Sequence, residues 1–178
     1  MTLGLSSPWA RRTGWLLAAA ALWGAWTTLD RFASNHILFI NHTQSLPNWA
    51  FMMRRGGDAQ RGDIVFFSPP PSTLVKAHFG NNPAPFGKIV YGLGGDTIAH
   101  KGSAVLLRRK GEEEWHAIAR MKPVSMRGEA LAPGPVGTIP PDCFYVGSPH
   151  KDGFDSRYAA IGFVCRRQLI GIAEWSLL

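Results

Sequence analysis

A chain of 178 residues has room for one domain with a well-formed core, which excludes a large multidomain protein. Hydrophobic residues make up 46% of the chain and charged residues only 17%, a composition typical neither of a disordered protein nor of a highly charged soluble one. Nineteen Lys and Arg residues against twelve Asp and Glu residues give a net charge of +7, which favours anionic partners such as lipid headgroups or nucleic acid.

The first predicted element is the segment 13–31, which is mostly apolar and follows Arg11 and Arg12. It predicts one N-terminal transmembrane helix, with a cleaved signal peptide and a buried core helix as the alternatives. The two arginines would keep residues 1–12 in the cytoplasm. The rest of the chain would then lie in the periplasm, on the far side of the inner membrane.

Residues 36–178 carry short apolar or alternating runs separated by Gly and Pro, which is typical of a mainly β domain with antiparallel strands. No helical periodicity and no second domain are predicted there. The candidate strands are Asp63–Phe67, Lys88–Leu93, Thr97–His100, Ala104–Leu107, Trp115–Arg120, Cys143–Val146 and Ile161–Trp175, the last with a break at Gly171.

The two cysteines, Cys143 and Cys165, are too few for a disulfide scaffold or a zinc cage, and the six histidines lack metal-ligand spacing. The sequence therefore predicts no metal and no cofactor. An oxidising compartment would allow one disulfide between the cysteines, which the sequence alone does not decide.

A candidate general base, Lys88, lies in a predicted strand that runs into a glycine-rich turn. If the strand is buried, Lys88 loses hydration, its pKa falls, and its neutral amine becomes available near pH 7. A lysine on a half-exposed strand is the alternative.

A candidate nucleophile, Ser45, lies in the polar segment 41–47 and is followed by a Leu-Pro pair that restrains the backbone. The Thr43 hydroxyl and the backbone N–H of Ser45 could form a two-donor oxyanion hole. His42 is the alternative base, but residues three apart in an extended segment point to opposite faces, which disfavours a His42–Ser45 pair.

A third polar segment, Phe-Asp-Ser-Arg-Tyr, places Asp155 and Arg157 two residues apart, close enough to pair with each other or with the backbone. An exposed ion pair of little energetic weight is the alternative.

These segments in this order resemble the type I signal peptidase superfamily. The Ser-Leu-Pro sequence, the small size and the Phe-Asp-Ser-Arg-Tyr segment are most similar to the TraF-type peptidases of plasmid conjugative transfer, which mature pilin subunits. The segments that carry the resemblance are Ser45-Leu-Pro, Arg61-Gly-Asp63-Ile-Val-Phe, Lys88-Ile-Val-Tyr-Gly-Leu-Gly-Gly-Asp96 and Phe154-Asp-Ser-Arg-Tyr158.

The resemblance implies a signal-peptidase-like coiled antiparallel β domain with a Ser-Lys dyad. Ser45 would be the nucleophile and Lys88 the general base, with Thr43 and the Ser45 amide as the oxyanion hole. Asp155 and Arg157 would form a structural pair that supports the site, with Ser156 as a further supporting residue. The substrate would be a pilin precursor or another membrane-inserted pre-protein, with membrane lipid as a further partner and no nucleic acid.

The sequence departs from the superfamily's usual pattern at Gly94, where a Pro is common, and at Gly153, where a Ser commonly helps to hold the lysine. Ser156, Tyr158 or an ordered water could orient Lys88 instead.

Three other functions remain open. The chain could be a general type I signal peptidase, or a catalytically impaired assembly factor of conjugation that keeps the fold. A LexA-type self-cleaving repressor has a similar β fold, but carries a DNA-binding helical domain where this chain has its apolar run.

Overall fold

The structure is a computed structural model and describes residues 8–41 and 45–177. The chain divides into two compact units, with the boundary between Ile37 and Leu38. The first unit contains helix α1 (Pro8–Asn35). Large apolar side chains of this helix are exposed, among them Trp15, Leu16 and Trp23.

Neither helix in the described part of the chain combines the length and the apolar character needed to cross a membrane. The transmembrane helix predicted at 13–31 is therefore not supported, although the segment is helical. Thr, Gly and Trp residues dilute the apolar run, and Asp30 and Arg31 end it.

The remainder of the chain is mainly antiparallel β-structure, as predicted. One sheet has the strand order β1-β2-β11-β3-β4-β9-β10 and the other has the order β7-β6-β5-β8. The strands are β1 (His36–Ile40), β2 (Ala50–Arg55), β3 (Ile64–Phe67), β4 (Phe86–Leu93), β5 (Thr97–Lys101), β6 (Ala104–Arg108), β7 (His116–Arg120), β8 (Gly137–Thr138), β9 (Cys143–Gly147), β10 (Val164–Cys165) and β11 (Leu169–Leu177).

A short helix, α2 (Thr73–Phe79), interrupts the β-structure between β3 and β4 and was not expected from the sequence. The Ser72 side chain caps it by accepting a hydrogen bond from the Val75 backbone N–H at 3.1 Å. At the other end, Gly80 adopts a φ of +81° and donates its backbone N–H to the Lys76 oxygen. The predicted long strand 161–175 is also divided, because a 3₁₀ turn at Arg166–Gln168 separates β10 from β11.

Strand β9 is buried on both faces and lies between two apolar clusters. Successive residues of a strand point to opposite faces, so its side chains alternate between the clusters. Phe144 and Val146 belong to the cluster beneath the larger sheet, together with Val65 and Val90. The second cluster contains Cys143, Tyr145, Ile98, Val105, Leu107 and Ile139.

A disulfide joins Cys143 of β9 to Cys165 of β10, which face each other as partners in the antiparallel register. The bond links positions that are 22 residues apart. The intervening segment includes Asp155 and Arg157, so the disulfide staples both ends of the segment that carries the predicted ion pair.

Candidate active site

Ser45 lies in the loop between β1 and β2, where it is half-buried. The Asn41 side-chain amide donates hydrogen bonds to two backbone oxygens of this loop, including the Leu46 oxygen at 3.1 Å. The Leu46 side chain is buried against β4, since a β-carbon added at Gly87 would lie 3.4 Å from its Cδ1 atom. The missing side chain at Gly87 therefore lets the residue after Ser45 rest on β4.

Lys88 is the residue that follows in β4, and it is only 5% exposed. Its register partner on β3 is Val65, which belongs to the apolar cluster beneath the larger sheet together with Val90. Burial lowers the pKa of Lys88 to about 8, against an opposing effect of the Asp155 charge and with a smaller lowering by Arg157. Of the two alternatives that the sequence left open, the structure therefore shows the buried lysine of lowered pKa and not a lysine on a half-exposed strand.

Ser45 and Lys88 line the same cavity, which has a volume of about 430 Å³. The structure therefore brings the predicted nucleophile and the predicted base to one concave, largely apolar space. Polar side chains of Asn41, His150 and Asp152 also reach it. Its aromatic wall consists of Phe39, Phe51, Phe66, Phe79, Phe86 and Phe154.

Asp155 and Arg157 form a buried ion pair, with 0% and 2% of their surfaces exposed. The Arg157 guanidinium donates from Nε to Asp155 Oδ1 at 2.7 Å and from Nη2 to Asp155 Oδ2 at 2.9 Å. It also donates to the backbone oxygens of Ser148 at 2.8 Å and Arg120 at 3.2 Å. Because both charges are paired and hydrogen-bonded, this is a buried structural pair and not the exposed surface pair that the sequence also allowed.

Gly153 is packed so tightly that no side chain fits there. A β-carbon at this position would lie 2.1 Å from Ser148 Oγ, 2.8 Å from Asp155 Oδ2 and 2.9 Å from Arg157 Nη2. The place in which the resemblance implies a serine side chain is therefore occupied by the hydroxyl of Ser148. Nothing in the local sequence distinguishes Ser148 from an ordinary turn residue, so sequence alone does not identify it.

Ser156 and Tyr158, which the sequence offered as residues to orient Lys88, form hydrogen bonds with backbone N–H groups elsewhere. The Ser156 hydroxyl accepts a hydrogen bond from the Val146 backbone N–H at 3.0 Å, and Ser156 is fully buried. The Tyr158 hydroxyl accepts one from the Lys122 backbone N–H at 3.1 Å. Both residues thus hold the 155–158 segment to its surroundings.

Residues 42–44 of the nucleophile segment, which include His42 and Thr43, lie outside the described residues, so the predicted oxyanion hole stays a prediction. Within 8–41 and 45–177, no group of three His, Cys, Asp or Glu side chains is arranged to hold a metal ion.

A comparison with protein-family models gives a match over nearly the whole chain. The sequence model described as signal peptidase, peptidase S26, matches residues 10–178, which is nearly the whole chain. No individual curated protein matches the chain. On the family match, the chain belongs to the signal peptidase family, peptidase S26, and is a serine peptidase of the signal-peptidase type.

Proposed function

We propose that the chain cleaves a membrane-inserted pre-protein through an acyl-enzyme on Ser45, with neutral Lys88 as the general base. The observation that carries this proposal is the buried lysine of lowered pKa, which lines one cavity with a serine hydroxyl. A base near its pKa at working pH combines a useful neutral fraction with a strong affinity for the serine proton.

The proposed reaction is acyl transfer in two steps. Neutral Lys88 Nζ takes the proton of Ser45 Oγ while the oxygen attacks the scissile carbonyl carbon. The lysine, now an ammonium, gives that proton to the leaving amine when the peptide C–N bond breaks. The Ser45 N–H and the Thr43 hydroxyl would stabilise the oxyanion of the tetrahedral intermediate.

The acyl-enzyme has two possible acceptors. Lys88 activates a water molecule in the second step, which gives hydrolysis, or an amine held closer than water takes the acyl group and forms a new peptide bond. In both cases Asp155 and Arg157 act as a support, with Ser156, because they hold the backbone beside Lys88.

For the substrate, we propose the precursor of a conjugative pilin. The support is the similarity of Ser45-Leu-Pro and Phe154-Asp-Ser-Arg-Tyr158 to the TraF-type peptidases. The aromatic wall of the cavity suits apolar side chains of a peptide from a membrane protein. Cleavage of signal peptides in general is the alternative, and an assembly role without catalysis is the third.

We further propose that the β domain works outside the cytoplasm, next to the surface of the inner membrane. The Cys143–Cys165 disulfide supports an oxidising compartment. Exposed apolar side chains on the edge strand β1 and on the C-terminal part of β11 would favour contact with lipid, as would the exposed Trp49 in the loop before β2. These strand residues are Leu38, Ile40, Trp175 and Leu177.

The intact mass of the pilin made with and without this protein tests the proposed substrate. Hydrolysis would leave a trimmed linear chain with a free N-terminus. Cyclisation would leave a product that is lighter than this trimmed chain by one water, about 18 Da, and that is blocked to N-terminal sequencing. We expect a cyclised pilin on the strength of the resemblance. An unchanged pilin mass in both strains would reject the pilin proposal and leave the two alternatives.

The pH profile of cleavage tests the proposed base. Only neutral Lys88 can accept the serine proton, so kcat/KM should rise about tenfold per pH unit below a pKa of about 8 and level off above it. Measurement between pH 5.5 and about 9.5 on the intact chain would show this limb. A flat profile over that range would contradict a lysine base.

A further inference from the structure

We propose that Ser148 positions Lys88 for catalysis, by accepting a hydrogen bond from Lys88 Nζ with its hydroxyl oxygen. The assignment rests on the proposed function and identifies a residue that holds the general base. Ser148 follows the last residue of β9 and is 3% exposed.

The register of the larger sheet, continued one residue past the end of β9, relates Ser148 to Lys88. Strands β4 and β9 pair antiparallel, with Ile89 opposite Gly147 and Val90 opposite Val146. One further step along this register sets Lys88 opposite Ser148. Directly opposite residues of an antiparallel pair point to the same face, with Cβ atoms about 4.5–5.5 Å apart.

The hydrogen bonds of Ser148 determine what its hydroxyl can offer. The backbone N–H and the hydroxyl of Ser148 both donate to Asp155 Oδ2, at 3.0 Å and 3.3 Å. A hydroxyl has one proton and two lone pairs, so the donation to Asp155 leaves the oxygen as an acceptor only. Such an oxygen can accept a hydrogen bond from an N–H of the lysine amine. The lone pair of the lysine nitrogen then remains available to take the proton of Ser45.

The charged groups that act on the Lys88 amine are the ones to which Ser148 is hydrogen-bonded. The Asp155 carboxylate raises the pKa of Lys88 and the Arg157 guanidinium lowers it, while burial has the larger effect. Ser148 is hydrogen-bonded to both members of that ion pair, through its hydroxyl and N–H to Asp155 and through its backbone oxygen to Arg157. The ion pair thus fixes Ser148, and Ser148 fixes the lysine.

Packing at Gly153 explains why the hydroxyl comes from position 148. The space next to the ion pair holds one small polar group, and Ser148 Oγ already fills it, 2.1 Å from where a β-carbon of residue 153 would be. Ser156 and Tyr158 accept hydrogen bonds from the backbone N–H groups of Val146 and Lys122.

The experiment compares Ser148→Ala with Ser156→Ala, a matched loss of one buried serine hydroxyl from the neighbouring segment. The first readout needs no substrate: the Lys88 pKa is followed by the ¹³Cε chemical shift of labelled lysine in the intact chain, with Lys88→Met to assign the signal. Loss of an acceptor disfavours the ammonium, so Ser148→Ala should lower the midpoint from about 8 by about half a pH unit or more. Ser156→Ala should leave it in place, and the charged groups Asp155, Arg157, His150 and Asp152 are unchanged in both variants.

The second readout is the kinetics of pre-protein cleavage. A displaced general base slows the chemical step more than it weakens substrate binding. Ser148→Ala should therefore lower kcat by about tenfold or more with little change in KM. The acid limb of its pH profile should move to lower pH together with the lysine pKa. Ser148→Thr, which keeps the hydroxyl, should restore the midpoint even if packing slows the reaction. An unmoved midpoint in Ser148→Ala, or an equal shift in Ser156→Ala, would overturn the assignment. If Lys88→Met itself remained active, the proposed function would fail instead.

Discussion

Ser45→Ala and Lys88→Met are each expected to reduce cleavage by at least about a thousandfold while the β domain stays folded. Alanine at 45 removes the oxygen that forms the acyl-enzyme. Methionine at 88 fills a similar volume without an amine to take the serine proton. Cleavage is measured as the initial rate of product formation from purified pre-protein, with circular dichroism to verify the fold.

The two variants should differ in stability, which separates catalysis from folding. Burial lowers the Lys88 pKa to about 8 in the folded chain, so the unfolded chain binds more protons between pH 8 and the ordinary lysine pKa near 10.5. Stability therefore rises with pH across that window, and the full cost of the buried charge is present below pH 8. Lys88→Met removes this cost and should raise the free energy of unfolding at pH 7.

Lys101→Met, at an exposed position at the end of β5, is the matched control and should leave the rate of cleavage unchanged. The competing triad makes the opposite prediction at one residue. If Lys88→Met retained near-normal cleavage while His42→Ala lost it, the Ser-Lys dyad would be wrong and a His42 base would be right.

Asp155→Asn is expected to destabilise the domain by about 3–5 kcal/mol, because it leaves the buried Arg157 guanidinium without a counter-charge. Arg157→Leu should have a similar effect by the opposite route, since a buried carboxylate remains and two backbone oxygens lose their donor. The free energy of unfolding from urea titration checks both variants.

Arg109→Ala provides the control for charge removal, because its side chain is exposed and pairs with Glu112 at 3.5 Å. It should cost less than about 1 kcal/mol. If Asp155→Asn cost no more than this control, the buried pair would not be a support of the site.

The β body could be predicted from the sequence because its central strands alternate and are separated by Gly and Pro. Strands β4 and β9 were found within two residues of their ends. Strands β1 and β2 were missed, since the Phe-Met-Met-Arg-Arg sequence of β2 does not alternate. Helix α2 has too few turns for a period to appear, although Ser72 before it and Gly80 after it are ordinary cap residues.

The residues of the candidate site that lie in short motifs could be predicted from the sequence. Ser45, Lys88 and the Asp155–Arg157 pair all lie in recognisable segments. Ser148 could not be predicted from the sequence, because its importance depends on the pairing of β4 with β9 and on the filled space at Gly153. A strand register and a packing volume are properties of the folded chain, and no local pattern encodes them.

The disulfide ties the chemistry of the site to the redox state of the chain. The disulfide between Cys143 and Cys165, which are 22 residues apart, closes a loop that contains Ser148, Asp155, Ser156 and Arg157, the buried polar or charged residues of this segment. Closing a loop of this size disfavours the unfolded chain by about 3 kcal/mol. A thiol reductant would therefore act on the peptidase at a distance, by loosening the framework of the general base while both reacting side chains remain chemically intact.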